Sequence, residues 1–451
     1  MRRMTTMVVL LAAVALVLAA VVAGTTRSSA QARSTASGAT KLTVWVGWSA
    51  GTELISFKKL VKEYDQQHSD VDINVVGGIN DNKIIAALRA GNAPDVVSSF
   101  SSQNVGIYCP SGGWIDLAPY LQKDHINVNI FPAASRYYTQ YKGKRCALPL
   151  LADSYGFYYN KKLLKAAGIT KLPRTFSELS ADAKKLTVRS SDGSLKVVGY
   201  DPNPTFYHGG AGISVYGTLI GATYFDKSGK SNISRDTGWA HLFKWQKSLI
   251  DYYGYDKLVR WQTGAGDEFS ASHAFEVGKL AMMLDGEWRV SFIKHEHPEL
   301  QYGTAPMPVD DARPNLYGSG YINGTIIGIP KTGKNHDQAW ELVKWLTTNN
   351  HALTQFSNDI RNVPSTVSSS KSPELIPDKN FSTFLKIFTN PRSTTSPITP
   401  IGADHLQTLT DFAVKWYAGK TNDLTGGLQA VDRSIDSKIK QALKGGGGGV
   451  P

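Results

Sequence analysis

Two carboxylates and a tryptophan follow one apolar run in the stretch FEVGKLAMMLDGEWRV. The run Leu280–Leu284 has no polar alternation, which is typical of a strand that is buried on both faces. The next residues are Asp285, Gly286, Glu287 and Trp288. They would form the loop at the carboxyl end of that strand, with the glycine permitting a turn. Because ligands of open α/β sheets bind outside the carboxyl ends of the strands, this loop predicts part of a ligand site.

Trp48 follows another strand-like segment and has small neighbours. The segment KLTVWV, residues 41–46, leads directly into Gly47, Trp48 and Ser49. Small neighbours leave a face of the indole free to pack on the C–H side of a sugar ring, while polar groups bind the hydroxyls. A tryptophan packed over its own lobe fits the same pattern, so both interpretations stay open.

Paired carboxylates beside an aromatic residue also describe a glycosidase, which is a serious alternative. Asp285 or Glu287 would act with Asp153 in such an enzyme, although the sequence does not fix their separation. Other enzyme motifs fail, because His295 and His297 lack the H-E-x-x-H spacing of a helical zinc site and no G-x-S-x-G occurs. We therefore expect no catalytic residue, no metal and no cofactor.

The order of the predicted elements indicates an α/β fold. The first of them are a strand at 41–46, a helix at 51–67, a strand at 71–76, a helix at 81–91 and a strand at 95–99. This β-α-β-α-β order predicts a mostly parallel sheet. A second α/β run begins after Leu148-Pro149, and strand-like segments return around 302–329 before a helix at 336–347. We expect two α/β lobes, with the chain crossing between them more than once.

The N-terminus has the pattern of an export signal. Arg2 and Arg3 precede an apolar run from Met7 to Gly24, and Ala30-Gln31-Ala32 supplies an A-x-A cleavage pattern. The run of about 18 residues is at the lower limit for spanning a bilayer, so an uncleaved anchor is the alternative. We expect an exported protein, either periplasmic or at the extracellular cell surface.

The formal net charge is +12, and it falls to +9 without the three arginines of residues 1–32. A nucleic-acid surface would need a compact block of lysines and arginines interleaved with aromatic residues. The sequence contains no such block, and a solvated basic surface explains the charge. We therefore expect no nucleic-acid partner.

Cys109 and Cys146 are the only cysteines in the chain. In an oxidising compartment two cysteines are more often paired than free, so we expect a disulfide between them. No cysteine comes directly after the N-terminal apolar run, which argues against the usual bacterial lipoprotein anchor.

Several stretches between residues 41 and 443 carry a combined resemblance to one family. They are LTVWVGWSAGTE, LRAGNAPDVV, YYNKKLLKAAGITKLPRTFSEL, FEVGKLAMMLDGEW, AWELVKWL and RNVPS. In this combination the chain resembles the extracellular solute-binding proteins, family 1, which serve ATP-driven sugar importers and include maltose-binding protein. The chain departs from the family pattern at Leu280, where alanine is usual, and in lacking the lipid-carrying cysteine of many Gram-positive members.

The resemblance implies a periplasmic-binding-protein-like fold with a ligand cleft between two lobes. The positions that would contact the ligand are Trp48, Asp153, Ser154, Tyr207, Asp285, Glu287, Trp288, Tyr317, Gly318, Ser319 and Arg361. Trp288 falls at the position where the family stacks an aromatic ring on the ligand. One of Asp285 and Glu287 would alternatively cap the following helix.

The resemblance also implies a domain organisation and a function. The predicted parts are a signal peptide at 1–32, a linker at 33–40, a first lobe at 41–151 with 304–346, a second lobe at 152–303 with 347–443, and a flexible Gly-rich tail at 444–451. The chain would be a monomer that binds a sugar or oligosaccharide and delivers it to the membrane permease of an ATP-driven importer. Binding proteins for a polyamine or glycerol phosphate, a secreted carbohydrate-active hydrolase and a surface adhesin are the alternatives.

Overall fold

The computed structural model describes residues 38–49, 51–204 and 212–444. Four predictions fall wholly or mostly outside these residues: the export signal at 1–32, the linker at 33–40, Tyr207 and the tail at 444–451. Within the described ranges, no helix is both long enough and apolar enough to cross a membrane.

The strands and helices alternate along much of the described chain. The strands are β1 (Thr40–Trp45), β2 (Val71–Val76), β3 (Val96–Ser99), β4 (Leu148–Pro149), β5 (Leu151–Asn160), β6 (Val188–Arg189), β7 (Leu195–Tyr200), β8 (Leu280–Gly286), β9 (Tyr302–Ala305), β10 (Ile322–Asn323), β11 (Ile326–Gly328) and β12 (Val363–Pro364). The helices are α1 (Gly51–Gln67), α2 (Asp81–Ala90), α3 (Val105–Tyr108), α4 (Ala118–Lys123), α5 (Ala133–Tyr138), α6 (Lys161–Ala166), α7 (Phe176–Leu186), α8 (Ile213–Leu219), α9 (Thr237–Tyr253), α10 (Tyr255–Thr263), α11 (Arg289–Glu296), α12 (His336–Thr348), α13 (Asn350–Ile360), α14 (Phe381–Thr389), α15 (Asp404–Tyr417) and α16 (Leu424–Lys444).

The first sheet has the strand order β2-β1-β3-β11-β4. β1 pairs in parallel with β2 and β3, as the element order predicts, whereas β11 pairs antiparallel with β3 and β4. Between β2 and β3, the side chain of Asn80 accepts a hydrogen bond from the backbone N–H of Lys83 and starts helix α2. Gly91 ends that helix with a φ of 70°, which most other residues resist.

The second sheet is built around β5, in the order β10-β5-β8-β7-β6, and β9 and β12 also pair with β5. β8, β9, β10 and β12 all run antiparallel to β5, whereas β7 and β8 are parallel. Every residue of β8 is buried, in agreement with the apolar run in the sequence. The strand extends through Asp285 and Gly286, which the sequence placed in the following loop.

The chain passes between the two sheets in three places, at 149–151, 323–326 and 360–363, which we call the crossing segments. β4 of the first sheet leads into β5 of the second, and β10 of the second sheet leads into β11 of the first. Helix α13 packs on α1 through Phe356 and Phe57, whose ring centroids are 5.8 Å apart, and is followed by β12 beside β5. All three crossing segments therefore lead to β5 or to a strand that is paired with it.

Cys109 and Cys146 form a disulfide, with their Cα atoms 5.5 Å apart. Cys109 follows helix α3, and Cys146 lies just before β4. Both cysteines are buried in the same hydrophobic core cluster as Trp114 and Tyr138. The bridge joins two segments of the first half of the chain close to the first crossing segment.

Candidate ligand-binding cavity

A cavity of about 780 Å³ lies between the two sheets. One wall consists of residues 47–49 after β1, residues 51–53 at the start of α1, and Phe100 after β3. These segments follow the carboxyl ends of parallel strands, which is where ligands of α/β sheets bind. The other lining residues are Asp153, Tyr155, Phe269, Trp288, Ser291, Phe292, His295, Glu296, Asn323, Thr325, Ile360 and Asn362.

Trp48 and Phe100 form the aromatic part of the first wall. Their ring centroids are 5.6 Å apart, and Trp48 also packs on Phe57 at 5.3 Å and on Phe356 at 5.6 Å. Trp48 is thus a core residue of its own lobe that also lines the cavity, and its contact with a ligand stays a prediction. Phe100 remains 44% exposed and offers a free apolar face.

The opposite wall of the cavity also contains aromatic residues, of which Trp288 is one. Its indole packs edge-on against Tyr155, with ring centroids 5.5 Å apart and an interplanar angle of 87°. Phe269 packs edge-on against Phe292 at 5.8 Å and is 67% exposed. Aromatic surface on both walls suits the apolar faces of a ring-shaped ligand.

Gly286 has a different role from the one predicted for it. It lies within β8 and its φ is not positive, so it does not serve a glycine-specific turn. A Cβ atom on Gly286 would lie 2.1 Å from Cζ3 of Trp288. The glycine is therefore needed because the indole packs directly on its backbone.

Asp153 and Glu53 supply carboxyl groups to the cavity. Burial raises the pKa of Asp153 to about 7, although a hydrogen bond from Asn362 Nδ2 to Asp153 Oδ1, at 3.2 Å, acts in the opposite direction. Burial, and then the charge of Asp153, raise the pKa of Glu53 to about 7. No lysine or arginine is among the described lining residues, so the cavity favours hydroxyl or cationic groups over anions.

Glu287 and Ser154 lie beneath the cavity and are not among its lining residues. Glu287 is fully buried and accepts hydrogen bonds from Ser154 N at 2.7 Å, Asn362 Nδ2 at 3.0 Å and Val363 N at 3.3 Å. Burial, and then the charge of Asp153, raise the pKa of Glu287. The hydroxyl of Ser154 donates to the carbonyl of Phe384 at 3.2 Å. In this structure both residues bind protein groups.

Asp285 is also engaged by the protein and lies outside the cavity lining. Its Oδ2 accepts a hydrogen bond from Arg289 Nε at 2.7 Å, and its Oδ1 accepts one from Gly286 N at 2.8 Å. No side-chain hydrogen bond caps the start of α11, where Trp288 occupies the capping position. Asp285 therefore forms an ion pair with the first residue of the helix and does not cap it.

The segment Tyr317–Ser319 is not brought to this cavity. The guanidinium of Arg174 lies 4.4 Å from the ring centroid of Tyr317. The carbonyl of Gly318 accepts a hydrogen bond from Asn390 Nδ2 at 2.9 Å, and the hydroxyl of Ser319 donates to the carbonyl of Leu316 at 2.6 Å. Because all of these contacts are with other protein groups, they indicate that the segment is a structural turn.

Arg361 ends helix α13 in the left-handed conformation, with a φ of 58°. Its Nη1 donates to the carbonyl of Ile376 at 2.9 Å, and its guanidinium lies over the ring of Phe381. The side chain is buried and lies outside the cavity lining, whereas its neighbours Ile360 and Asn362 line the cavity.

Sequence reasoning missed several lining residues, of which Glu53 and Asn362 matter most. Glu53 lies in the first turn of α1, within the quoted LTVWVGWSAGTE stretch. Asn362 directly follows Arg361 in the RNVPS stretch, so the sequence pattern pointed to the residue next to the one that lines the cavity. In the described part of the chain, no group of histidine, cysteine, aspartate and glutamate side chains could hold a metal ion.

The sequence profile of the bacterial extracellular solute-binding proteins matches residues 50–351. The chain belongs to this family. It is similar to the maltotriose-binding protein of Pyrococcus abyssi, with 25% identity over 72% of this chain and 67% of that protein. It is also 26% identical to the maltooligosaccharide ABC transporter solute-binding lipoprotein of Streptococcus pneumoniae TIGR4, over 64% of this chain and 63% of that protein. The chain spans between about half and two thirds of the length of the curated relatives that it matches.

Solved structures of the same fold include CpMnBP1 with mannotriose bound. This chain is 26% identical to it, with a TM-score of 0.77 over 87% of this chain and 99% of that one. The α/β fold with two lobes and a cleft is therefore confirmed.

Proposed function

We propose that this exported protein binds a saccharide in the 780 Å³ cavity and delivers it to the membrane permease of an ATP-driven importer. The observation that carries the proposal is the composition of the cavity, with aromatic faces on both walls and carboxyl groups between them. Aromatic faces bind the C–H side of a sugar ring and carboxylates accept hydrogen bonds from its hydroxyls. The volume lies within the usual range of small-molecule sites, roughly 300–1,000 Å³.

The proposal includes two lobes, for which the sequence predicts the division 41–151 with 304–346, and 152–303 with 347–443. The strand pairings support moving two of its boundaries. β9 and β10 pair with β5 of the second sheet, and α13 packs on α1 beside the first. These contacts favour lobe boundaries at the crossing segments 323–326 and 360–363.

A neutral saccharide fits the cavity better than the other solutes that this fold carries. Glycerol phosphate would bring an anion beside Glu53, Asp153 and Glu296 with no lysine or arginine in the described lining. A polyamine would suit the carboxyl groups but would leave the aromatic walls without ring partners. The relatives named for maltotriose, maltooligosaccharide and mannotriose support the saccharide.

We also propose that the protein is a binding protein without catalysis and acts as a monomer. The carboxylate pairs considered for hydrolysis were Asp285 or Glu287 with Asp153. Glu287 accepts three hydrogen bonds from the protein and Asp285 is paired with Arg289, so neither carboxylate is placed to act on a ligand in the cavity.

A thermal-shift screen tests the proposal with maltose, maltotriose, mannobiose, mannotriose, spermidine and glycerol 3-phosphate. A saccharide that binds should raise the melting temperature, because ligand at a hundredfold excess over Kd adds roughly 2.7 kcal/mol to the free energy of unfolding. The sugar should be recovered unchanged. A response to spermidine or glycerol 3-phosphate alone would contradict the saccharide, and release of new reducing ends would favour the hydrolase.

A further inference from the structure

Arg289 lies at the centre of a buried cluster of three carboxyl groups. Its Nε donates to Asp285 Oδ2 at 2.7 Å and its Nη1 donates to Glu276 Oε1 at 2.9 Å. Its Nη2 donates to Glu268 twice, at 2.6 Å to the side-chain Oε1 and at 2.8 Å to the backbone carbonyl. The Arg289 side chain is 0% exposed and lies outside the cavity lining, so it does not face a ligand.

The three carboxyl groups belong to segments that carry two aromatic residues of the cavity. Asp285 lies at the end of β8, and Trp288 follows it directly before Arg289. Glu268 and Glu276 both belong to the loop between α10 and β8. Phe269 is the next residue after Glu268, and it lines the cavity. One guanidinium therefore connects the loop that carries Phe269 to the turn that carries Trp288.

Because this cluster is buried and charged, replacing Arg289 by an uncharged residue would leave its carboxyl groups without a counter-charge. Burial lowers the pKa of Arg289, but the charges of Asp285 and Glu268 outweigh burial and leave its pKa above the ordinary value. Burial, and then the charge of Asp285, raise the pKa of Glu268, and burial raises the pKa of Glu276 to about 7. His273 Nε2 lies 3.7 Å from Glu268 Oε2, the carboxyl oxygen that does not face Arg289. Without the guanidinium, buried carboxyl groups would face one another uncompensated.

We propose that Arg289 is a positioning residue for ligand binding, which holds Phe269 and Trp288 on one wall of the cavity. The inference rests on the proposed function, since it takes the cavity as the ligand site. Phe269 has little packing of its own, being 67% exposed with an edge-on contact to Phe292. Its place over the cavity therefore depends on its neighbour Glu268, and Glu268 is held by Arg289.

The test measures saccharide affinity by calorimetric titration, with the sugar of the maltose, maltotriose, mannobiose and mannotriose panel that binds the wild type most tightly. Arg289→Lys keeps one positive charge but loses the planar group that reaches three carboxyls. We expect it to weaken binding about tenfold, and Glu268→Gln to act in the same direction. In a Phe269→Ala background Glu268→Gln should weaken binding by much less, because the ring that Glu268 positions is gone, and Arg289→Lys should retain only the part of its effect that acts through Trp288. Hydrogen exchange of the loop between α10 and β8 should also become faster.

The matched control is Asp432→Asn. Asp432 is a buried carboxylate that accepts hydrogen bonds from Ser231 Oγ at 2.6 Å and Ser234 N at 2.9 Å, and it lies outside the cavity lining. This change should lower the melting temperature and leave affinity unchanged. If Arg289→Lys or Glu268→Gln behaves in the same way, or if its effect on affinity simply adds to that of Phe269→Ala, the positioning role is wrong.

Two further results separate this inference from the proposed function. If Arg289→Lys does not fold, Glu268→Gln and Phe269→Ala alone complete the double-mutant cycle, and additive losses of affinity overturn the inference. If no saccharide of the panel binds, or if Trp288→Ala binds as tightly as the wild type, the proposed site itself fails and the inference fails with it.

Discussion

The side chain of Glu287 is hydrogen-bonded to the backbone of Ser154, with 2.7 Å between Oε2 and N. The other carboxylate oxygen accepts hydrogen bonds from Asn362 and Val363. Ser154 lies in β5 just after the first crossing segment, and Asn362 and Val363 lie in the third. One buried carboxylate therefore joins the third crossing segment to the part of β5 that follows the first. We therefore expect Glu287 to stabilise the connection between the two lobes.

Glu287→Gln should lower the free energy of unfolding by about 1–3 kcal/mol. The amide replaces one acceptor oxygen with a donor, and each carboxylate oxygen of Glu287 faces at least one N–H donor, so a buried donor is left unpaired. Urea unfolding followed by circular dichroism measures the change. Glu299→Gln is the control, because the side chain of Glu299 is 73% exposed where it contacts His297, and its replacement should change stability by less than about 1 kcal/mol. Equal effects would contradict this account.

Loss of the disulfide should lower stability without changing ligand affinity. Cys109 and Cys146 are separated by 37 residues, and neither lines the cavity. In the loop-closure account, opening a loop of this size costs about 3–4 kcal/mol. Urea unfolding of a double serine variant, compared with the wild type, measures the difference. Reductant should destabilise the wild type and leave the variant unaffected, and an equal response in both would refute the prediction.

The parallel part of the first sheet, β1 with β2 and β3, was predictable because local signals agree with its tertiary structure. β1 alternates buried and less buried residues, and α2 is capped by Asn80 at its start and by Gly91 at its end. Each signal depends on residues that are close in the sequence. The antiparallel pairing of β5 with β8, β9, β10 and β12 carries no such signal, because it joins segments more than a hundred residues apart.

The site was less predictable than the fold for the same reason. The sequence predicted Asp285, Glu287 and Trp288 at one site. It could not show which of these side chains form hydrogen bonds or ion pairs with other groups of the protein. Asp285 is paired with Arg289 only because β8 ends and α11 begins between them. Glu287 is covered by backbone N–H groups that come from remote strands. Of the three, only Trp288 lines the cavity.

Asp153 should make the protein less stable as pH rises between about 4 and 7. Its pKa in the folded protein is about 7, whereas an aspartate in an unfolded chain titrates near 3.9. Between these values the folded protein retains a proton that the unfolded chain releases, so the free energy of unfolding falls as pH increases and levels off above pH 7. Asp153→Asn should make this decline shallower.

Glu53 contributes to the same slope, because its pKa is also raised to about 7. The double variant Glu53→Gln with Asp153→Asn should therefore have a flatter profile than either single variant. Urea unfolding at pH 5 and pH 8 measures the slope. An identical difference between the two pH values in the wild type and the double variant would rule out these two carboxyls as its source.

Ligand binding should make the molecule more compact. The cavity is lined by segments of both sheets, and we expect the three crossing segments to act as the hinge between the lobes. A ligand that contacts both walls favours the closed arrangement by its additional contacts. Small-angle X-ray scattering should show a smaller radius of gyration at saturating saccharide. A sugar of the panel that does not bind is the control, and superimposable profiles with the bound sugar would contradict closure.

The last prediction concerns Trp288, and the burial of its side chain determines which variants can test it. The indole is only 8% exposed and packs on Tyr155 and on the backbone of Gly286. Trp288→Ala should lower saccharide affinity about 30-fold, or about 2 kcal/mol, because a central aromatic contact is lost. The same change opens a cavity in the protein, so we expect a loss of about 3–5 kcal/mol in stability as well. Titration and thermal unfolding measure the two effects separately.

Trp239→Phe and Trp288→Phe form the matched pair that separates ligand contact from packing. Trp239 is a fully buried tryptophan that packs edge-on against Tyr224 and does not line the cavity. Both phenylalanine variants should lose similar, smaller amounts of stability because a large ring is retained. Only Trp288→Phe should weaken saccharide binding and reduce the change in tryptophan fluorescence on titration. Equal affinity in both variants, with the wild-type fluorescence change intact, would show that Trp288 serves packing alone.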